Sequence, residues 1–143
     1  MSFLEALARA RREGDLSEVV AAVPYMRAMG MEMRVDEEGV LGVLPFAEHH
    51  IGNYAIRAIH GGVLGALLES TAAITVLYTS ESVHLPRIVN ITVEYLRSAK
   101  AETTFARSRF TKQGRRVVSV RTVAWQGDAA KPVAAAQSHL LIG

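Results

Sequence analysis

Residues 60–78, HGGVLGALLESTAAITVLY, constrain the fold more than any other stretch of the chain. A helix drawn through them is apolar nearly all round, so it must be covered on most of its sides. Two environments can do that, a bilayer or a sheet that curves around the helix. The length suits a bilayer, which needs roughly 20 residues. Against a membrane stand Glu69, a costly mid-bilayer carboxylate, its polar neighbours Ser70, Thr71 and Thr75, and the lack of a flanking aromatic belt. A soluble protein with this helix at its centre is therefore expected.

The sequence after the helix supplies the cover. In 88-IVNITVEYLR-97, Val89, Ile91, Val93 and Tyr95 alternate with Asn90, Thr92 and Glu94, the period of a strand. Further strands are expected at 101–112, 116–126 and 133–142, joined by the turns KQGR (112–115) and GDAAKP (127–132). Short connections between consecutive strands make an antiparallel meander. Before the helix, Met31, Met33 and Val35 alternate with charged residues. Val40–Leu44 resumes after DEEG (36–39), so 30–46 reads as a hairpin turned at Gly39. Residues 47–59 read as a polar loop. The expected fold class is α+β: a long central helix wrapped by a five- or six-stranded antiparallel sheet.

Short helices are expected at 3–13 and 16–22, the second capped by Asp15 with Glu18 completing a capping box, and ended by Pro24. The N-terminus lacks the uninterrupted apolar core of a signal peptide. The chain has no cysteine, which excludes disulfides, thiolate metal sites and a cysteine nucleophile. Both features suit a cytoplasmic protein. The 143 residues suggest one domain.

The chemistry is sought at the two irregularities of the helix. Glu69 sits among Val63, Leu64, Leu67, Leu68, Ala72 and Ile74. A carboxylate buried there would have a raised pKa unless paired or hydrated, which marks a functional candidate; an interface carboxylate is the alternative. Gly61 and Gly62 stand where a helix N-terminus exposes unpaired amides, and no side chain blocks an approaching carbonyl oxygen. Such an amide pair has the character of an oxyanion hole, although two glycines also suit a tight helix entry. Asn53 could place a water or a carbonyl, and His60 could orient the loop. Glu48, His49, His50 and His60 fit no zinc spacing, so no metal is expected. The G-x-S-x-G elbow, the P-loop and the dinucleotide fingerprint are absent. Between Arg97 and Lys131 stand nine Lys or Arg against only Glu102 and Asp128. That excess suits an anionic partner or a solvated strand surface. Without interleaved aromatics it does not suggest nucleic acid.

These residues form a recognisable set. HGGVLGALLES (60–70), preceded by Gly52-Asn53 and followed by TVEYLRSAK (92–100), resembles the hotdog-fold acyl-CoA thioesterases, in the phenylacetate-pathway-like (PaaI-type) branch. The resemblance covers about residues 24–142, with PYMRAMGM (24–31) as the approach to the first strand and 113–142 as the last hairpin. It implies a 1–23 helical extension and a 24–143 hotdog domain that hydrolyses acyl-CoA. Glu69 would be general base or nucleophile and the Gly61 amide would polarise the thioester carbonyl. Asn53 and His60 would have supporting roles. No cofactor is implied beyond the coenzyme A of the substrate. Many members of the branch carry Asp where Glu69 stands, and some place the Asn six residues before the His rather than seven.

Helix geometry adds a constraint of its own. Eight residues separate Gly61 from Glu69, about 12 Å along the axis, whereas a base must come within roughly 3 Å of its proton. A site using both therefore needs two chains, so a homodimer is expected, with pairing to a tetramer implied by the family. Gly62, Arg97, Lys100, Lys112, Arg115 and Arg116 are candidates for substrate binding, the basic ones for the coenzyme A phosphates. Tyr54, Ile56, Ile59, Leu77 and Tyr78 are candidates for the acyl pocket. Two other activities fit the same residues: a hotdog dehydratase or hydratase, and a non-catalytic acyl-CoA binding module.

Overall fold

The computed structural model describes residues 2–80 and 82–142. Its elements, in chain order, are α1 (Phe3–Glu13), α2 (Ser17–Ala21), α3 (Pro24–Met29), β1 (Glu32–Asp36), β2 (Gly39–Leu44), a 3-10 turn (Glu48–His50), β3 (Ile51–Asn53), β4 (Ala58–Ile59), α4 (Gly61–Thr79), β5 (Arg87–Tyr95), β6 (Thr104–Gln113), β7 (Val117–Trp125) and β8 (Ala134–Leu141). Six strands form one antiparallel sheet in the order β1-β2-β6-β7-β8-β5. β3 and β4 pair separately. The fold is α+β, a long central helix against a six-stranded antiparallel sheet with short helices at the N-terminus.

The sheet curves around α4 and touches it from β2, β5, β6, β7 and β8. Inward positions alternate along the central strands: Val118, Val120, Thr122 and Ala124 on β7, and Ala134, Ala136, Ser138 and Leu140 on β8, all buried. Small residues there let the sheet close on the helix, whose Leu64, Leu67, Leu68, Ile74 and Leu77 are at most 2 % exposed. Each such leucine contributes about 1.5–3 kcal/mol by leaving water. α4 is long and apolar enough to cross a bilayer, yet two-thirds of its apolar window (67 %) is buried inside the protein. The closest approach is at β2. A Cβ on Gly42 would run into the Thr71 side chain, so glycine is what lets the helix come this near to β2.

The N-terminal helices close one end of this core. Ala6, Leu7, Ala10, Leu16, Val19 and Val20 join the same buried cluster as α4. Arg11 donates to the carbonyl of Leu77, 3.0 Å away, and to that of Ser82. A guanidinium placed there satisfies carbonyls that a helix C-terminus leaves unpaired and complements its dipole.

Three local expectations need correction. α2 begins at Ser17, and Asp15 accepts hydrogen bonds from the Ser17 amide and hydroxyl (3.0 and 2.7 Å). Glu18 does not complete a capping box; the Ala22 amide bonds to its carbonyl, 3.2 Å away. Pro24 does not merely end α2. It is the first residue of α3, where its missing N–H costs nothing and its fixed φ suits the helix. Residues 47–59 are not all loop, because Ile51 and Ile59 are buried and pair as the short β3–β4 hairpin. The 30–46 hairpin turns at Gly39, whose φ of 110° is open to glycine.

Candidate active site

α4 begins in a tightly held junction. The His60 amide donates to the His50 carbonyl at 2.8 Å, and the Ile59 amide to Ala99 at 2.9 Å. Gly52 lies against this junction; a Cβ there would come 2.7 Å from both Cα and Cβ of His60. His60 is the N-cap, and its Nδ1 accepts the Gly62 amide at 2.8 Å. The neutral ring therefore carries its proton on Nε2. The Val63 and Leu64 amides both donate to the His60 carbonyl, at 3.0 and 3.2 Å. Of the first four helix amides, only that of Gly61 meets no acceptor among the described residues. It is the one donor that the helix leaves for something else, at the end where the dipole favours negative charge.

Gly61 opens into a groove of about 440 Å³ lined also by Asn53, Ile56, Ile59, Leu64, Tyr95 and Arg97. Asn53, exposed on the β3–β4 turn, accepts at its Oδ1 from the Ala55 amide, 3.1 Å away. Arg97 donates to the Pro132 carbonyl at 2.7 Å. Tyr95, which the sequence reading passed over as one more residue of an alternating strand, reaches back from the end of β5 to Gly61. Its hydroxyl donates to the Gly61 carbonyl at 2.9 Å.

Glu69 is not in that groove. It lines a second one, of about 460 Å³, with Tyr25, Gly62, Gly65, Ala66, Ile91 and Val93, and a neighbouring one with Arg87 and Ser70. The expectation of a carboxylate buried among leucines is corrected: Glu69 is exposed. The leucines face the sheet. Glu69 shares the opposite face with Gly62, Gly65 and Ala66, at i, i+3, i+4 and i+7. That face looks fully apolar in sequence because glycine and alanine count as apolar, but they are too small to cover it. Tyr25 was also missed. It arrives on α3, the helix that the reading of Pro24 as a stop left out.

The basic candidates separate into two groups. Arg97 and Lys100 lie at the Gly61 end of the sheet. Lys112, Arg115 and Arg116 lie around the β6–β7 turn, all exposed. The register pairs Gln113 with Val118 and both Val117 and Arg87 with Leu141, so this turn is at the start of β5, whereas Tyr95 is at its finish. About eight residues of strand, roughly 26 Å, separate the two groups. They do not rim one mouth within one chain. Leu77 and Tyr78 likewise lie at the far end of α4, and Leu77 is fully buried. Tyr54 and Ile56 are exposed on the β3–β4 turn.

His49 and His50 are held by the backbone. His49 Nε2 bonds the Ala28 carbonyl (3.1 Å). His50 donates from Nε2 to the Met29 carbonyl (2.8 Å) and accepts at Nδ1 from the Ala47 amide (3.2 Å). Burial depresses the pKa of His50, and the neighbouring His49 adds to this. Glu48 pairs with Arg57, which holds its carboxyl below the usual range.

A long helix gripped by an antiparallel sheet, with a free amide at the helix entry, is the hotdog architecture. The model of the thioesterase superfamily matches residues 57–133, and the chain belongs to that family. A protein of Chromobacterium violaceum is 38% identical, with 97% of each chain covered and a TM-score of 0.80. A phenylacetic acid degradation-related protein of Ralstonia eutropha JMP134 is 26% identical, over 95% of this chain and 98% of that one, with a TM-score of 0.75. The fold is shared with smu.793 of Streptococcus mutans UA159, solved bound to acetyl CoA (21% identity, 79% and 88% coverage, TM-score 0.66). None of the curated proteins compared matches the chain.

Proposed function

We propose that the protein hydrolyses an acyl-CoA thioester to the free acid and coenzyme A, in sites shared between two protomers. The observation that carries this reading is the unpaired Gly61 amide at the entry of α4, in a chain of the thioesterase superfamily. The thioester carbonyl oxygen accepts from Gly61 N–H. Glu69 takes a proton from water as the water oxygen attacks the carbonyl carbon. The negative charge that develops on the carbonyl oxygen is held by the amide. The C–S bond then breaks, the proton on Glu69 passes to the departing sulfur, and the acid loses its own proton to solvent. No metal or further cofactor enters this scheme.

Two observations support the shared site. Gly61 and Glu69 open into different grooves of one chain. The face that carries Glu69 is left uncovered, beside an edge strand, β5, whose outer side has no partner among the described residues. Two-fold antiparallel pairing along β5 would lay two α4 helices antiparallel, the Gly61 end of each toward Glu69 of the other. The same operation carries the β6–β7 turn of one protomer toward the Gly61 end of its partner. Lys112, Arg115 and Arg116 then join Arg97 and Lys100 around one set of coenzyme A phosphates.

The test is a panel of short, long, arylacetyl and benzoyl CoA thioesters assayed by release of free thiol. Glu69→Gln and Glu69→Ala should each lower the rate about a hundredfold or more, the usual worth of a general base. Wild-type-like rates in both would overturn the mechanism.

A further inference from the structure

The entry of α4 contains more than a free amide. The peptide unit between Gly61 and Gly62 is held at both ends: its N–H by His60 Nδ1 at 2.8 Å and its C=O by the Tyr95 hydroxyl at 2.9 Å. The Tyr95 ring packs on the same residue. A Cβ at position 61 would stand 3.1 Å from Tyr95 Cε1 and 3.2 Å from Cζ. Two consecutive glycines make a poor first turn, each costing about 1 kcal/mol relative to alanine. Without an added restraint that turn would fray, and the Gly61 N–H with it.

From this geometry we infer that Tyr95 is a positioning residue: it clamps the Gly61–Gly62 peptide and so holds the Gly61 N–H aimed into the groove. Glycine at 61 then has two reasons. It leaves the amide accessible to a carbonyl oxygen, and it makes room for the ring that holds it. A side chain that fixes a donor in advance removes the cost of ordering it when negative charge develops. The effect should fall on the chemical step more than on substrate binding.

The inference rests on the thioesterase reading, and two experiments keep their failures apart. The first measures hydrolysis by wild type and Tyr95→Phe, with whichever acyl-CoA the wild type uses. The variant keeps the ring and loses only the hydroxyl. Expected are a kcat about tenfold lower, the worth of one hydrogen bond, a KM within about twofold, and a melting temperature lowered by no more than about 4 °C. An unchanged kcat, or a loss confined to KM, overturns the clamp. The second follows hydrogen exchange at the Gly62 amide, which His60 Nδ1 protects, by NMR and requires no activity. Tyr95→Phe should speed exchange there about tenfold, on the same hydrogen-bond scale, and leave the middle of α4 unchanged. Equal exchange in both proteins overturns the clamp, whatever the wild type hydrolyses. A wild type inactive on every thioester, with faster exchange in the variant, supports the clamp and sinks the acyl-CoA reading alone.

Discussion

The two faces of α4 differ in almost everything except their hydropathy. The face toward the sheet carries Leu64, Leu67, Leu68, Thr71 and Ile74, all at most 2 % exposed. The other carries Gly62, Gly65, Ala66 and Glu69, and is open. The first binds the helix into the fold. The second contributes little to the stability of one chain, yet it holds the charged group that the proposed chemistry needs. Stability and function are therefore separable along one helix, by a rotation of about half a turn.

That separation can be broken in order of expected effect. Leu67→Ala or Leu68→Ala should cost about 2–5 kcal/mol of stability, because each leaves a cavity the sheet cannot close. Chemical denaturation measures this, and a loss below 1 kcal/mol would mean that the covered face is not the core. Gly42→Ala places a Cβ against Thr71 and should cost about 1–3 kcal/mol by overpacking. Thr71 extends the contrast. Its hydroxyl is buried without a hydrogen-bond partner among the described residues, so Thr71→Val should be neutral or stabilising by up to about 1 kcal/mol. On the open face, Glu69→Ala should leave the melting temperature within about 2 °C of wild type while activity collapses.

The junction below the helix gives a prediction in pH. His50 is neutral in the fold, with a pKa held below its ordinary 6.5 by burial. The unfolded chain takes up that proton first as pH falls. The stability His50 contributes is therefore complete above about pH 6.5 and declines as pH drops through the folded value. In His50→Gln the fall in melting temperature between pH 7 and pH 5 should be smaller than in wild type. An identical fall in both would show that His50 does not couple folding to protons.

Much of this was legible in the sequence. The apolar run 61–78 and the alternation in 88–97 are periodic signals, and the observed α4 (Gly61–Thr79) and β5 (Arg87–Tyr95) match them within about two residues. What was not legible depends on size and on contact. Glycine and alanine score as apolar, so the open face of α4 passed for a buried one and Glu69 with it. Pro24 is compatible with ending one helix or starting the next, and only packing decides between them. The division of the basic residues between two ends of the sheet was open to the sequence, because successive antiparallel strands put successive loops at opposite ends; grouping them by charge alone passed over it. Tyr95 reaches across 34 residues of sequence to Gly61, and nothing in its local pattern marks it.

In the proposed site Gly61 of one protomer works with Glu69 of another, and subunit mixing separates this pairing from a site within one chain. Gly61→Pro removes the N–H at the first residue of α4, where proline's fixed φ suits the helix and its Cβ obliges the exposed Tyr95 ring to shift by a few tenths of an ångström. His60, at φ −60° and ψ 134°, already has the backbone that precedes a proline. Gly61→Pro and Glu69→Gln homodimers should each be nearly inactive. Unfolded together and refolded at equal concentrations, they should regain about a quarter of wild-type activity, because half the dimers then hold one intact composite site. No regain, with mixed dimers shown to be present by mass spectrometry, would contradict the account.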